Sequence, residues 1–299
     1  MNAQWIDLQV NGYGGVDYSS PTLTAEDFAR SAWAIVESGT LMFLPTLITS
    51  PMELYERNMA IIHEAIGRYN LHNHIPGVHF EGPFISPEPG AVGCHNPEYV
   101  QKPNSTLLDK FPFIRMITVA AERPGALDVI RDATARGIIV SLGHQLASYE
   151  ELCAAAVAGA QCLTHFGNGI PNEIHRHKNP LWSGMACDAL TALLITDGHH
   201  LPPEVLDVII AAKGVGKVIV TSDMTPAAGC PPGHYTILGN EAVLEPNGKL
   251  HNPAKNCLCG SASTMTACME YLASLNLLTP DELARVGRTN AQKLLAHLK

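Results

Sequence analysis

Short apolar, β-rich runs alternate with longer helical stretches along nearly the whole chain, and this alternation restricts the fold more than any other feature. The runs are Trp5–Val10, Leu41–Thr49, Pro76–Glu81, Ile114–Ala121, Ile138–Leu142, Cys162–Phe166, Ala192–Thr196 and Lys217–Ser222. Helical patterns separate them at Ala25–Ser38, Pro51–Tyr69, Ala126–Arg136, Tyr149–Ala158 and Pro203–Ala212, and two more follow at Ser263–Ser274 and Pro280–His297. Thr24 and Ser148 stand where a hydroxyl accepts a first-turn N–H of the following helix. Strands joined through helices pair in parallel, so eight of them predict an α/β fold in which the sheet closes into a (β/α)8 TIM barrel.

The chain has 299 residues, 46% hydrophobic and 16% charged, enough apolar material for one large core. The expectation is a single barrel domain over residues 1–299. Residues 224–262 are too long for a simple connection, and an Asn247-Gly248 turn inside them predicts a β-hairpin excursion over the barrel mouth. The Pro- and Gly-containing stretch Ile85–Pro103 is a second long loop.

Composition excludes several classes. A formal charge of −9 with no cluster of Lys and Arg argues against nucleic acid. The longest apolar runs are strand-sized, so no membrane span is expected. The first residues show no basic region followed by an apolar one, which predicts a cytoplasmic protein. The eight cysteines are then expected as buried free thiols, and Cys257-x-Cys259 has neither zinc-knuckle nor redox-pair spacing. Asn11-Gly-Tyr-Gly-Gly15 lacks the spacing and the lysine of a phosphate loop.

What ends each strand carries the chemistry. Gln9-x-Asn11 ends the first, His79-x-Glu81 the third and Gly143-His144 the fifth; Thr164-His165 lies at the sixth. Asp197 and His199-His200 follow the seventh, and Asp223 ends the eighth. In a barrel these ends meet on the face that hosts active sites. A lone histidine there is commonly structural and a lone aspartate commonly caps a helix. Glu81, His144, His165 and Asp223 at the same relative position of separate strands fit a metal site better. One carboxylate and two imidazoles with an open position suit a borderline divalent ion, and Asp223 suits a general base.

At these residues the sequence resembles the N-acetylglucosamine-6-phosphate deacetylases of the amidohydrolase superfamily, a metal-dependent hydrolase type of barrel. The matching blocks run in order: Asp7–Gly12, Gly77–Phe84, His95–Pro97, Gly143-His144, Thr164–Asn168, Asp197-Gly198, Thr221–Asp223 and Gly260-Ser261. The resemblance implies hydrolysis of the acetamide of N-acetyl-D-glucosamine 6-phosphate to D-glucosamine 6-phosphate and acetate. The alternative is a different N-acetylated sugar or other N-acyl substrate. It assigns Glu81, His144 and His165 to the metal, Asp223 to acid/base catalysis and His95 to the acetamide carbonyl. Asn168, the Gly169 backbone, Arg176 and His200 match positions that hold the sugar phosphate. The family is usually dimeric, which would place Arg176 or His200 in a neighbour's site.

Many amidohydrolases carry His-x-His and a second metal where this chain has Gln9 and Asn11. Amides are poor ligands, so one divalent ion per subunit is expected, zinc first, with iron or manganese also accepted by this set. Two departures stand out. No segments for the family's accessory β-sandwich are evident on either side of the barrel. The segment Pro171–Trp182 also differs from the family pattern, with His175, His177 and Lys178 crowding Arg176.

Overall fold

The computed structural model describes residues 5–296 of the chain. Its main sheet has eight strands in ring order: β1 (Trp5–Val10), β2 (Thr40–Ile48), β3 (Val78–Glu81), β4 (Ile114–Val119), β5 (Ile139–Leu142), β6 (Cys162–Leu163), β7 (Thr191–Leu194) and β8 (Val218–Val220). All laddered neighbours are parallel. Helices follow the strands one by one: α1 (Ala25–Glu37), α2 (Met52–Arg68), α3 (Thr106–Lys110), α4 (Ala126–Ala135), α5 (Tyr149–Ala158), α6 (Pro180–Ala186), α7 (Pro203–Lys213) and α8 (Met265–Ser274). This is the (β/α)8 barrel that the alternation predicts. Among the described residues, no helix is long and apolar enough to cross a membrane.

Two-residue periodicity sorts each strand into two faces. Val78 and Phe80, Val140 and Leu142, and Val218 and Val220 pack outward into the large core beneath the helices. The alternate residues Met116, Ile139, Cys162, Leu193 and Ile219 join Ile6, Leu8 and Leu44 in a separate apolar layer inside the barrel. Ala291, Leu294 and Leu295 pack against that layer. Two residues further along the strands the interior turns polar, where Thr118, Ser141 and Thr164 bond one another through their hydroxyls. The site rests on this platform.

The seam between β1 and β8 is built differently. The two strands share no ladder; the isolated parallel bridge Val10–Met224 closes the ring, with Asn11 N donating to Met224 O at 2.7 Å. Side chains do the remaining joining, as described below.

Local chemistry explains the helix starts. Thr24 Oγ1 accepts from Asp27 N, and Ser148 with Glu151 forms a reciprocal capping box. The short helices α3 and α6 are not evident in the sequence, because five and seven residues are too few for a periodic signal. The expected helix Pro280–His297 is interrupted by a π-helical turn at Arg285–Thr289, and its last residue, His297, lies outside the described residues, as do residues 1–4. The backbone at Gly287 presses on Trp5 and Met269 so closely that a Cβ would meet both within 2.8 Å.

The excursion after β8 is a four-stranded antiparallel meander: β9 (Gly233–Ile237), β10 (Asn240–Leu244), β11 (Leu250–Asn252) and β12 (Cys257–Leu258). It is larger than the expected hairpin. The turn at Asn247-Gly248 joins β10 to β11, and an additional turn at Leu238-Gly239 was hidden because leucine rarely takes the left-handed conformation seen there.

Candidate metal and catalytic centre

Glu81 is the last residue of β3, and His144, His165 and Asp223 lie two or three positions past the ends of β5, β6 and β8. All four are buried. His144, His165 and Asp223 have positive φ, at 49°, 29° and 50°, a region that side-chain-bearing residues resist. The left-handed step turns each chain off its strand and swings the side chain over the barrel axis. Glycines make room for it: a Cβ at Gly169 would stand 2.9 Å from His144 Nδ1.

The three expected ligands converge. Their ligand atoms all lie within 4.8 Å of one another. Glu81 Oε1 is 3.2 Å from His144 Nε2 and 2.9 Å from His165 Nε2, and the two nitrogens are 3.1 Å apart. His144 Nδ1 lies 2.7 Å from Ala91 O, which can only accept, so this nitrogen carries the proton and Nε2 presents a lone pair. Electron-rich atoms facing one another in a buried space are the donor set of a cation, and the composition suits a borderline divalent ion. The carboxylate is correspondingly ready: burial pulls the Glu81 carboxyl up, but the close His144 and His165 rings outweigh it and hold it well below its ordinary value.

Gln9 and Asn11 present N–H donors to the carboxylates of the centre. Gln9 Nε2 donates to Glu81 Oε1 at 2.8 Å and to Asp223 Oδ1 at 3.0 Å; Asn11 Nδ2 donates to the same Asp223 oxygen at 2.7 Å. Turned round, either amide would aim its oxygen at a carboxylate, so the partners set the orientation. Burial, reinforced by the charge of Glu81, pushes the Asp223 carboxyl up to about 8. A cation at the ligand cluster opposes this rise. Between these two influences the group can take and return a proton near neutrality.

His95 reaches the centre from the loop after β3. Its Nδ1 accepts from Thr49 N at 3.3 Å, which leaves the proton on Nε2, 3.8 Å from Glu81 Oε2. Burial and the neighbouring His144 lower its pKa to about 3, so the ring is a neutral N–H donor aimed into the site. His79 shares the inward face of β3 with Glu81 but lies deeper; it is held by Leu8 O and Thr118 Oγ1 and is not part of the cluster.

Above these groups opens a cavity of about 400 Å³, within the ordinary range for a small-molecule site. Asn168, Gly169 and His200 line it, as does His95. His200 is oriented by Asp197, whose Oδ2 lies 2.8 Å from His200 Nδ1. That bond and two backbone N–H donors overcome burial and hold the Asp197 carboxyl at about 2. Arg176 does not line the cavity, and neither Lys nor Arg is found among the described lining residues. The loop before α6 folds back on itself instead: Asn179 caps α6 and Trp182 Nε1 donates to Arg176 O. Loop geometry of this kind has no periodic trace in the sequence.

Other contributors were not singled out by sequence reasoning. Thr49 N and Ala91 O set the tautomers of His95 and His144, but main-chain groups leave no residue-type signal. Asp7 is wholly buried at the seam and was visible only as part of a matching block.

No family model matches the chain. The N-acetylglucosamine-6-phosphate deacetylase of Haemophilus influenzae is 31% identical over 272 residues, covering 89% of this chain and 69% of that protein. The human protein of the same name is 33% identical over 282 residues, covering 89% and 67%. An N-acetylgalactosamine-6-phosphate deacetylase of Escherichia coli O157:H7 is 27% identical over 296 residues, covering 97% and 77%. The crystal structure of the Pasteurella multocida N-acetylglucosamine-6-phosphate deacetylase superposes with a TM-score of 0.88 at 31% identity, covering 99% of this chain and 76% of that one. The identities hold over most of both chains and accompany the same barrel. The chain therefore belongs to the N-acetylglucosamine-6-phosphate deacetylase family.

Proposed function

We propose that the protein hydrolyses the acetamide of N-acetyl-D-glucosamine 6-phosphate, releasing acetate and D-glucosamine 6-phosphate. The observation that carries this reading is the meeting of a buried Glu81–His144–His165 ligand cluster with the proton carrier Asp223 and the neutral N–H donor His95 at one cavity. One divalent ion, zinc first and iron or manganese as alternatives, would be held by Glu81, His144 and His165. Bound there, it would supply Lewis-acid polarisation and make water a nucleophile near neutral pH. Gln9 and Asn11 point N–H groups where a second ion would sit, which supports one ion per subunit.

The side chains then divide the work. His95 Nε2–H donates to the acetamide oxygen and stabilises the charge that grows on it, an effect commonly worth about 3 kcal/mol per donor. Asp223 takes a proton from the attacking water and returns it to the nitrogen as the C–N bond breaks. Gln9 and Asn11 keep Oδ1 of Asp223 engaged, leaving Oδ2 for the proton.

For the phosphate, Asn168, the Gly169 backbone and His200 line the cavity of the same chain. The absence of a Lys or Arg from the described lining supports a homodimer in which Arg176 of a second copy supplies the missing charge. The eight cysteines are free thiols, and four of them are only partly buried rather than buried as expected; a cytoplasmic location stays part of this reading. The test is acetate release from N-acetyl-D-glucosamine 6-phosphate, its galactosamine counterpart and unphosphorylated N-acetylglucosamine, with metal content measured on the same sample. Preference for the glucosamine phosphate supports the reading. Equal rates with and without phosphate would remove the phosphate site, and metal-loaded protein inactive on all three would reject the reaction.

A further inference from the structure

Asp7 is a carboxylate with no solvent exposure, and the proposed reaction gives it no task. Burying a carboxyl group is costly, and a seam between two strands is more cheaply closed with apolar side chains. The donors around Asp7 show what the buried group does. Oδ1 accepts from Thr221 Oγ1 at 2.7 Å, Ser222 N at 3.0 Å and Gln9 N at 3.3 Å, and Oδ2 accepts from Ser222 Oγ at 2.5 Å. Thr221 and Ser222 immediately precede Asp223, and Gln9 holds the Asp223 carboxylate from the opposite strand.

The Ser222 hydroxyl, having donated to Asp7, accepts from Met224 N at 3.0 Å, so one oxygen ties both neighbours of Asp223 together. On the far side Ser261 Oγ donates to Ser222 O at 2.6 Å, and Ser261 N donates to Asp223 O at 2.9 Å. The residue so enclosed has a φ of 50°, a conformation that persists only when its surroundings over-determine it.

We propose that Asp7 is a positioning residue for the proton-transferring carboxylate, acting through Thr221 and Ser222 to hold Asp223 in its left-handed turn against Gln9 and Asn11. The inference rests on the deacetylase reading of Asp223. Asp7 touches none of the three metal ligands through its hydrogen bonds, so its removal should separate geometry at Asp223 from metal binding.

The experiment compares Asp7→Asn, Asp7→Ala and Ser222→Ala, each alone and combined with Asp223→Asn, as metal-loaded enzyme on N-acetyl-D-glucosamine 6-phosphate. The readouts are kcat, KM, metal content and Tm. The expected result is metal content and KM unchanged, with kcat lowered about 10- to 100-fold, the usual consequence of misplacing a reacting group by about an ångström. Asp7→Asn should keep more activity than Asp7→Ala, because its side-chain oxygen still accepts from Thr221 or Ser222. In the Asp223→Asn background the same changes should cost nothing further.

A full additional loss in that background overturns the proposal, as does loss of metal in step with activity. Unchanged kcat with a lowered Tm would also overturn it, reducing Asp7 to a brace of the seam. If the Asp7 variants do not fold, Ser222→Ala and Thr221→Val cut the same path without leaving a charge site empty, and unchanged kcat in both overturns it. If Asp223→Asn alone keeps full activity, it is the deacetylase reading of Asp223 that fails.

Discussion

Replacing Gly260 with alanine tests how closely the loop beyond the excursion fixes Asp223. Gly260 has φ +59°, and a Cβ there would lie 2.5 Å from Thr225 Cγ2, 2.9 Å from Asp223 O and 3.4 Å from Asp223 Oδ2. Ordinary carbon contacts are about 3.5 Å, so Thr225 and the Asp223 turn must yield by nearly an ångström. The left-handed conformation adds about 1 kcal/mol for a residue with a Cβ. Together with overpacking of about 1–3 kcal/mol, the stability loss should be about 2–4 kcal/mol. That corresponds to a fall in Tm of roughly 3–6 °C for a chain of this length. The larger effect should be on rate: displacing the proton carrier by this distance should lower kcat about 100-fold. Metal content should stay at the wild-type level, because none of the three ligands is among the atoms the new methyl would meet. Acetate release, metal analysis and a thermal melt on one preparation supply all three numbers. A folded Gly260→Ala protein with wild-type kcat would refute the claim that this loop sets the position of Asp223.

Other changes have separable outcomes. Asp223→Asn should keep its metal while kcat falls by roughly three orders of magnitude or more, measured by acetate release with metal analysis. His144→Ala should lose metal as well as activity, since it removes one of three ligands from the cluster; full occupancy would exclude it from the set. Stripping the protein with a chelator should lower Tm, and zinc should restore it, because an ion that binds only the folded chain stabilises it by mass action. The depressed carboxyl of Asp197 favours the folded state when ionised. Its contribution is present above the ordinary value of 3.8 and is lost as pH falls through about 2. Asp197→Asn should therefore cost about 2 kcal/mol at pH 7, with the gap to wild type in urea melts closing below pH 4.

How much of this was legible in the sequence follows from which signals are periodic. The strands were legible because every second residue faces the core beneath the helices, so Val78 and Phe80 or Val218 and Val220 stand out by composition. Glu81, His144, His165 and Asp223 were legible because a polar, ligand-type residue ending an apolar strand is conspicuous. Depth was not: His79 and Glu81 share one face of β3, and only the structure shows His79 bonded to Leu8 O and Thr118 below the cluster. Gln9 and Asn11 stood out as amides at a strand end, yet the way Gln9 joins Glu81 to Asp223 and Asn11 holds Asp223 depends on contacts 72 and more than 200 positions away. Arg176 failed to reach the cavity for a related reason. Its loop is shaped by the Asn179 cap and the Trp182 bond, and neither repeats along the chain.

The seam has a consequence for how the molecule comes apart. β1 is the first strand of the barrel and β8 its last, and one bridge with a handful of side-chain bonds joins them while every other neighbouring pair of the ring has a ladder. Contacts between segments this far apart in sequence are slow to form, because the whole intervening stretch must close first. The groups bridging this join are Asp7, Gln9 and Asn11 on one side and Thr221, Ser222 and Asp223 on the other. Turnover therefore begins only when the ring has shut. In mild denaturant, activity should disappear before the helical signal does, so that the reaction itself serves as a gauge of the barrel's last joint.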